Sequence, residues 1–289
     1  MSTRTMQRAC VNGADLAFEV RGSGAIPVVL IHGSLVADAF VPLLDEPAVT
    51  ERYRLIHYHR RGYGGSQRPE GPVTIPQQAE DCLALMRLLG VERAHVVGYS
   101  FGGAIALQLA LDAGDRVHSL ALLETSLPGA VTDPADQQYF MEEVTRAPEL
   151  HGAGDAAGAI DSISRLVFGP AYRAALDRAL PGAFEQAVRD ADAFFQVDLP
   201  AHQQWRFTRE DAARIKQPIL SVYHEDPAWG GFRARHELLS SWLPQVETLV
   251  LPVATHLLMM IDPRGAAQGL AAFFARHPLE AHIARAGAI

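Results

Sequence analysis

A serine framed by glycines is the residue of this 289-residue chain that is best placed for chemistry. Gly98-Tyr99-Ser100-Phe101-Gly102 is a G-x-S-x-G pattern that follows the apolar run 94–97 and precedes the helical pattern of 103–110. A strand that turns sharply into a helix raises the central serine onto an exposed corner. Glycines flank it because side chains there would collide with the neighbouring strand and helix. The pattern predicts a nucleophilic Ser100; a buried serine in an ordinary strand–helix turn is the alternative.

A serine hydroxyl is a weak nucleophile at neutral pH, so it needs a base to take its proton and a third group to orient that base. His256 follows the apolar run 248–251 and a short turn, well after Ser100 in the chain, and this place resembles that of the catalytic histidine in the α/β-hydrolase superfamily, which makes it the candidate base. The chain has 12 histidines, so this choice depends on position and not on rarity. A histidine that is simply hydrogen-bonded in a loop is the alternative.

Four segments together resemble the α/β-hydrolase superfamily: His32-Gly33, the Arg-Gly-Tyr-Gly-Gly-Ser of 61–66, the residues 98–103, and His256. The resemblance extends over nearly the whole chain. It implies an α/β fold with a mostly parallel, open sheet flanked by helices, and a chain order of serine, acid, histidine. The family usually has an aspartate where His59 stands here, at a position that is structural in the family.

Two carboxylates compete for the role of the orienting acid. The family's usual position lies just after the strand predicted at 218–223, in a G-x-x-D turn. Here that turn reads His224-Glu225-Asp226-Pro227, which puts Asp226 one residue early. Glu124 directly follows the apolar run 118–123. This segment resembles haloalkane dehalogenases, which place their acid at the end of that strand. A buried glutamate is costly to desolvate unless it has a partner, and a histidine supplies one. We favour Glu124 and keep Asp226 as the alternative.

Acyl transfer also requires preorganised N–H donors for the oxygen that becomes negatively charged in the transition state. One donor should be the backbone amide of Phe101, immediately after the nucleophile. The second should come from the loop after His32-Gly33, where the family resemblance favours the amide of Ser34, with Leu35 second. These donors are backbone groups, so the Ser34 hydroxyl is not required.

Alternation of short apolar runs with helical patterns indicates how these residues are positioned. Strands are predicted at 16–20, 27–31, 53–58, 94–97, 118–123, 218–223 and 247–251. Thr74, with Gln77 as its capping-box partner, begins a helix. Further helices are predicted near 232–242 and 263–276. Runs that are apolar on both faces favour a parallel sheet covered by helices on both sides.

The alternation stops between 128 and 214, where no apolar strand run occurs. We interpret this segment as a helical cap over the carboxyl ends of the strands, where ligands bind in such sheets. The predicted organisation is a hydrolase core in two parts, 1–127 and 215–289, with the cap at 128–214. The predicted cap has 14 acidic and 8 basic side chains, so it carries −6 of the chain's net charge of −8. This negative charge disfavours anionic substrates.

Composition excludes several classes of function. A net charge of −8 argues against a nucleic-acid binder and against docking on anionic membranes. No apolar run suits a membrane span, and the N-terminus lacks the apolar core of a signal peptide. Cys10 and Cys82 are interpreted as free thiols, so we expect a cytoplasmic protein whose partner is a small-molecule substrate. His57 and His59 share one side of a strand, but no nearby motif completes a ligand set. No metal or organic cofactor is predicted, and nothing in the sequence indicates an oligomeric state.

These residues predict a serine hydrolase that cleaves a small to medium, largely uncharged carboxylic ester through an acyl-enzyme intermediate. The same residues would also serve hydrolysis of a lactone, an amide or a carbon–carbon bond, or perhydrolysis without a cofactor. Epoxide hydrolases and haloalkane dehalogenases of this fold use an aspartate nucleophile where Ser100 stands, so these activities are disfavoured. A non-catalytic small-molecule receptor is the alternative of a different class.

Overall fold

The computed structural model describes residues 5–127, 145–224 and 231–280, and its described strands form one eight-stranded sheet. The strands are β1 Gln7–Val11, β2 Ala14–Arg21, β3 Ile26–Ile31, β4 Tyr53–Tyr58, β5 Ala94–Tyr99, β6 Val117–Leu123, β7 Ile219–His224 and β8 Val246–Leu251. Their spatial order is β1-β2-β4-β3-β5-β6-β7-β8. β2 runs antiparallel to both of its neighbours, and all other pairs are parallel. The predicted mostly parallel sheet is confirmed.

The sequence prediction missed β1. This strand is short and mostly exposed, so it has no apolar run. A two-residue turn joins it to β2, with Asn12 at φ 48° and Gly13 at φ 75°, so that Val11 pairs with Ala14. Asn-Gly between two extended segments is a strong hairpin signal, because both residues tolerate positive φ. That dipeptide was the feature from which β1 could have been predicted.

Eleven α-helices with described bounds connect and cover the strands. They are α1 Pro47–Thr50, α2 Ile75–Leu88, α3 Phe101–Asp112, α4 Ala156–Phe168, α5 Tyr172–Ala179, α6 Ala183–Arg189, α7 Leu199–Gln204, α8 Arg209–Arg214, α9 Gly231–Trp242, α10 Leu258–Ile261 and α11 Pro263–Arg276. Thr74 caps α2 with the predicted capping box: its hydroxyl accepts from the amide of Gln77, and the Gln77 side chain accepts from the amide of Thr74. No helix in the described ranges combines the length and apolar character needed to cross a bilayer.

The central strands of the sheet are buried on both faces, which explains their continuous apolar runs. In β3, Val28 and Leu30 contribute to the core on one face, and Val29 and Ile31 to the core on the other. Successive strand residues point to opposite faces, so a run without alternation is required when both faces are covered. The carboxyl ends of the parallel strands therefore meet at one edge of a rigid sheet.

The regular secondary structure described between β6 and β7 is helical. Residues 145–152 are helical, α4 to α8 follow, and a π-helical turn, Ala193–Asp198, directly precedes α7. No strand occurs in the described part of this segment, 145–214. The division into 1–127, 128–214 and 215–289 as separate structural units stays a prediction.

Candidate active site

Ser100 lies at a strained turn between β5 and α3, with φ 53° and ψ −117°. Its amide donates to the carbonyl of Leu123 at 2.9 Å, and its own carbonyl accepts from the amides of Gly103 and Ser126. A Cβ on Gly98 would lie 2.5 Å from the carbonyl oxygen of Gly102. Positive φ at a non-glycine residue costs free energy and persists only where the surrounding structure imposes it. Here the strained turn places Ser100 in the lining of a pocket.

His256 lies in the loop after β8 and lines the same pocket. Its Nδ1 is 2.5 Å from Oε2 of Glu124, and the Tyr99 hydroxyl donates to its backbone carbonyl at 2.7 Å. The ring stacks on Phe232, at a centroid distance of 4.3 Å, and on Phe168 at 5.9 Å. Because an ionised carboxylate only accepts hydrogen bonds, Nδ1 carries the proton, which leaves the lone pair on Nε2 available.

Glu124 follows β6 with φ 47° and is buried. Its amide donates to the carbonyl of Val222 at 2.8 Å, which fixes the turn against β7. The structure brings Glu124 into contact with His256. The rival acid, Asp226, lies outside the described residues. Sequence reasoning missed a second histidine at this carboxylate: the backbone amide and Nδ1 of His224 both donate to Oε1.

Electrostatics give this pair the protonation states that a base and its orienting acid require. Burial lowers the pKa of His256 below its usual range, although Glu124 opposes the change. Burial alone would raise the pKa of Glu124, but the hydrogen bonds from His224 and His256 outweigh burial and hold that pKa below its usual value. The ring is therefore neutral and the carboxylate ionised near neutral pH.

The backbone beside Ser100 is shaped by a buried arginine. A Cβ on Gly33 would lie 2.9 Å from the Cβ of Ser100, so the loop passes very close to the serine. The Gly33 carbonyl accepts from Nη2 of Arg60 at 2.9 Å and from Nδ1 of His32 at 2.7 Å. A trans peptide directs its C=O and N–H to opposite sides, so these bonds turn the amide of Ser34 away from Arg60.

The three predicted amide donors all belong to residues that line the pocket with Ser100. Phe101 is the first residue of α3, and the first amides of a helix have no partner within the helix. Leu35 has φ 69°.

Arg60 and Asp198 form a buried ion pair that joins this loop to the helices after β6. Asp198 ends the π-helical turn and accepts from both terminal nitrogens of Arg60, at 2.8 and 2.7 Å. The same carboxylate accepts from the hydroxyls of Ser34 at 2.6 Å and Tyr63 at 2.7 Å. Sequence reasoning missed this network, because nothing in the chain connects 60 with 198 before folding.

The pocket is an apolar cavity of about 140 Å³ with a polar end. Its apolar wall includes Phe168 of α4 and Phe194 of the π-helical turn. At the polar end, Oγ of Ser126 lies 2.8 Å from Nε2 of His202, and Arg235 of α9 also lines the pocket. Burial, reinforced by the Arg235 charge, lowers the pKa of His202 to about 4, so this ring is neutral.

Asp38, His57 and His59 form the one cluster in the described ranges whose ligand atoms lie close enough to consider a cation. Asp38 supplies the carboxylate that the sequence did not place near the two histidines. Nδ1 of His59 accepts from the amide of Gly65 at 3.0 Å, so Nε2 carries the proton and donates to Asp38 at 2.8 Å. Both ring nitrogens are thereby occupied, which leaves no lone pair on His59 for a metal ion.

Comparison with known proteins agrees with the fold. The chain is 28% identical to the dihydrolipoyllysine-residue acetyltransferase component of the acetoin cleaving system of Pseudomonas putida, over 94% of this chain and 70% of that protein. It is 38% identical to a putative carbamate hydrolase, RutD, of Azorhizobium caulinodans, but over only 38% of this chain and 41% of that protein. The solved carboxylesterase CesB of Bacillus subtilis superposes with a TM-score of 0.74 at 21% identity, covering 94% of this chain and 92% of its own.

The profile of the α/β hydrolase fold family matches residues 26–263, which include Ser100, Glu124 and His256. The match covers most of the chain, and the eight-stranded sheet is the architecture of that family. The chain therefore belongs to the α/β hydrolase fold family and is an enzyme of the α/β-hydrolase type.

Proposed function

We propose that this enzyme is a serine hydrolase that cleaves a small to medium, largely uncharged carboxylic ester through an acyl-enzyme intermediate. The observation that carries the proposal is the contact between Glu124 and His256 in the pocket that holds Ser100. A serine, an imidazole and an orienting carboxylate are the groups that acyl transfer requires. Glu124 thus holds His256 in the pocket that Ser100 also lines.

In the first half-reaction, Nε2 of His256 takes the proton of the Ser100 hydroxyl as its oxygen attacks the acyl carbon. The carbonyl oxygen becomes an oxyanion, held by the amides of Phe101 and Ser34. The tetrahedral intermediate collapses when His256 gives its proton to the leaving alcohol, and an acyl-serine remains. In the second half-reaction, His256 takes a proton from water, the hydroxide attacks the acyl-serine, and the proton returns to Ser100 as the acid leaves.

Glu124 supplies the electrostatic part of this mechanism. When His256 accepts a proton it becomes a buried cation, which costs free energy unless an anion lies beside it. Oε2 of Glu124 already contacts Nδ1, so the ion pair forms without movement of either side chain. This preorganisation lowers the barrier, because no reorganisation of the site is needed as charge develops.

The size and lining of the pocket support a small, largely uncharged substrate. A cavity of about 140 Å³ is below the roughly 300–1,000 Å³ typical of pockets for drug-sized ligands. Apolar side chains dominate the wall of the pocket. Both carboxylates in its lining already have partners, because Glu124 contacts two histidines and Asp198 contacts Arg60. We also propose that 128–214 forms a cap, because its residues Phe168, Phe194 and His202 cover the pocket over Ser100.

Substitution of Ser100 by alanine tests the proposal. We expect the folded variant to lose nearly all turnover of short-chain p-nitrophenyl esters and all stoichiometric labelling by a fluorophosphonate. A panel of acyl-chain lengths, lactones and amides then ranks the leaving groups. Retained esterase activity in the variant would refute a serine mechanism. A folded wild type without labelling or turnover would support a small-molecule receptor.

A further inference from the structure

The carboxylate of Glu124 is held from both sides, and the proposed mechanism uses only one of them. Oε2 accepts from His256. Oε1 accepts from His224 twice, from its backbone amide at 2.8 Å and from its ring Nδ1. His224 is buried, and it is the last residue of β7, whereas Glu124 follows the end of β6. Two adjacent strands thus contribute an acid and its second donor.

The side chain at position 224 is not needed for the backbone bond. Any non-proline residue there would present its amide to Glu124, including the glycine of the G-x-x-D turn that the family resemblance implies. The ring adds a second donor to the same oxygen. Because the buried carboxylate only accepts, Nδ1 of His224 must carry a proton, as Nδ1 of His256 does. One carboxylate therefore lies between two imidazole N–H groups.

We propose that His224 is a positioning residue, whose Nδ1–H keeps the Glu124 carboxylate ionised and turned so that Oε2 faces His256. The proposal depends on the serine mechanism and names a fourth member of its catalytic unit. A buried carboxylate with few donors tends to protonate, and a protonated Glu124 could not stabilise the His256 cation. The ring of His224 removes that tendency.

Other charged and titratable groups face the same carboxylate. His256 approaches from the loop after β8, Arg235 from α9, and Tyr99 from β5; Glu124 acts on the pKa of each of them. Arg235 acts through its charge. The rings of His224 and His256 are among the groups that donate hydrogen bonds to the oxygens of Glu124. Loss of the His224 ring therefore removes one of these hydrogen bonds and leaves the nearby charges in place.

Two variants of nearly equal shape test this inference. Asparagine places an N–H near the position of Nδ1, whereas leucine fills the same space without a donor. We expect His224→Leu to lower kcat/KM by about tenfold to a hundredfold and to move the acidic limb of its pH profile upward, because the carboxylate now binds a proton more readily. His224→Asn should restore both properties. His224→Ala replaces the leucine variant if that one does not fold.

His236→Ala is the matched control, since this histidine of α9 also bonds an oxygen of β7, the Ser221 hydroxyl, but does not line the pocket. It should keep the wild-type pH profile. The inference is overturned if His224→Leu and His224→Ala retain the wild-type kcat/KM and acidic limb, or if His224→Asn is as impaired as His224→Leu. Ser100→Ala, assayed in parallel, separates this result from a failure of the serine mechanism.

Discussion

Substitution of Asp198 by asparagine should destabilise the protein far more than the loss of an ordinary surface charge. Asp198 and Arg60 are each 1% exposed, and the pair joins the helices after β6 to the loop beside Ser100. Asparagine keeps the size of the side chain but removes the negative charge. The Arg60 cation then remains buried without an anion.

The expected cost follows from the contacts. Removal of one partner of a buried ion pair typically costs about 3–5 kcal/mol, because the remaining charge is left in a medium of low dielectric constant. Arg60 cannot easily move towards water, since its other N–H groups donate to the carbonyls of His32 and Gly33 and to the Gln78 side chain. For a chain of 289 residues we expect a fall in Tm of about 5–8 °C.

Urea denaturation and thermal unfolding measure this effect, with Glu237→Gln as the control. Glu237 pairs with Arg233 on the surface of α9, where both side chains are more than half exposed, so its loss should cost less than about 1 kcal/mol. The double variant Arg60→Met with Asp198→Leu should recover much of the stability, because no unpaired charge remains. If Asp198→Asn were as mild as Glu237→Gln, the argument from buried charge would be wrong.

Further predictions concern the proposed roles of His256 and Glu124. Because burial lowers the pKa of His256, the acidic limb of kcat/KM for a neutral ester should have its midpoint below pH 6.5: the inactive, protonated ring forms only in acid. A midpoint above that value would contradict the assignment. Glu124→Gln should lower kcat by about 10²–10⁴-fold, because the amide cannot compensate the imidazolium charge. Asp226→Asn should change kcat little, and a larger loss in Asp226→Asn than in Glu124→Gln would reverse the choice of acid.

The fold was largely predictable because its core strands are short apolar runs between turn-forming residues. β4 was predicted with the bounds that the structure shows, Tyr53–Tyr58, and α11 with those of Pro263–Arg276. Strands buried on both faces have the simplest possible signal, a run without polar interruption. β1 lacks that signal, since it lies at the sheet edge and needs no continuous apolar character.

The site was predictable only where local sequence determines local geometry. Ser100 and its glycines form a turn whose constraints are all within a few residues, so the pattern identifies it. Arg60 and Asp198 are 138 residues apart, and only folding creates their contact. No periodicity or spacing encodes such a pair. The carboxylate of Asp38, which lies beside His59 in the structure, was missed for the same reason.

The choice between the two acids also has a physical origin in the sheet. β6 and β7 are adjacent and parallel, with Leu123 opposite Val222, so the chain leaves both strands at the same edge of the sheet. Only one acid can occupy the space at Nδ1 of His256. Oε2 of Glu124 lies there, and His224 at the end of β7 donates to the other oxygen of the same carboxylate. An acid carried by the chain after β7 would therefore have to displace Glu124 from His256, and the paired variants Glu124→Gln and Asp226→Asn test for that displacement.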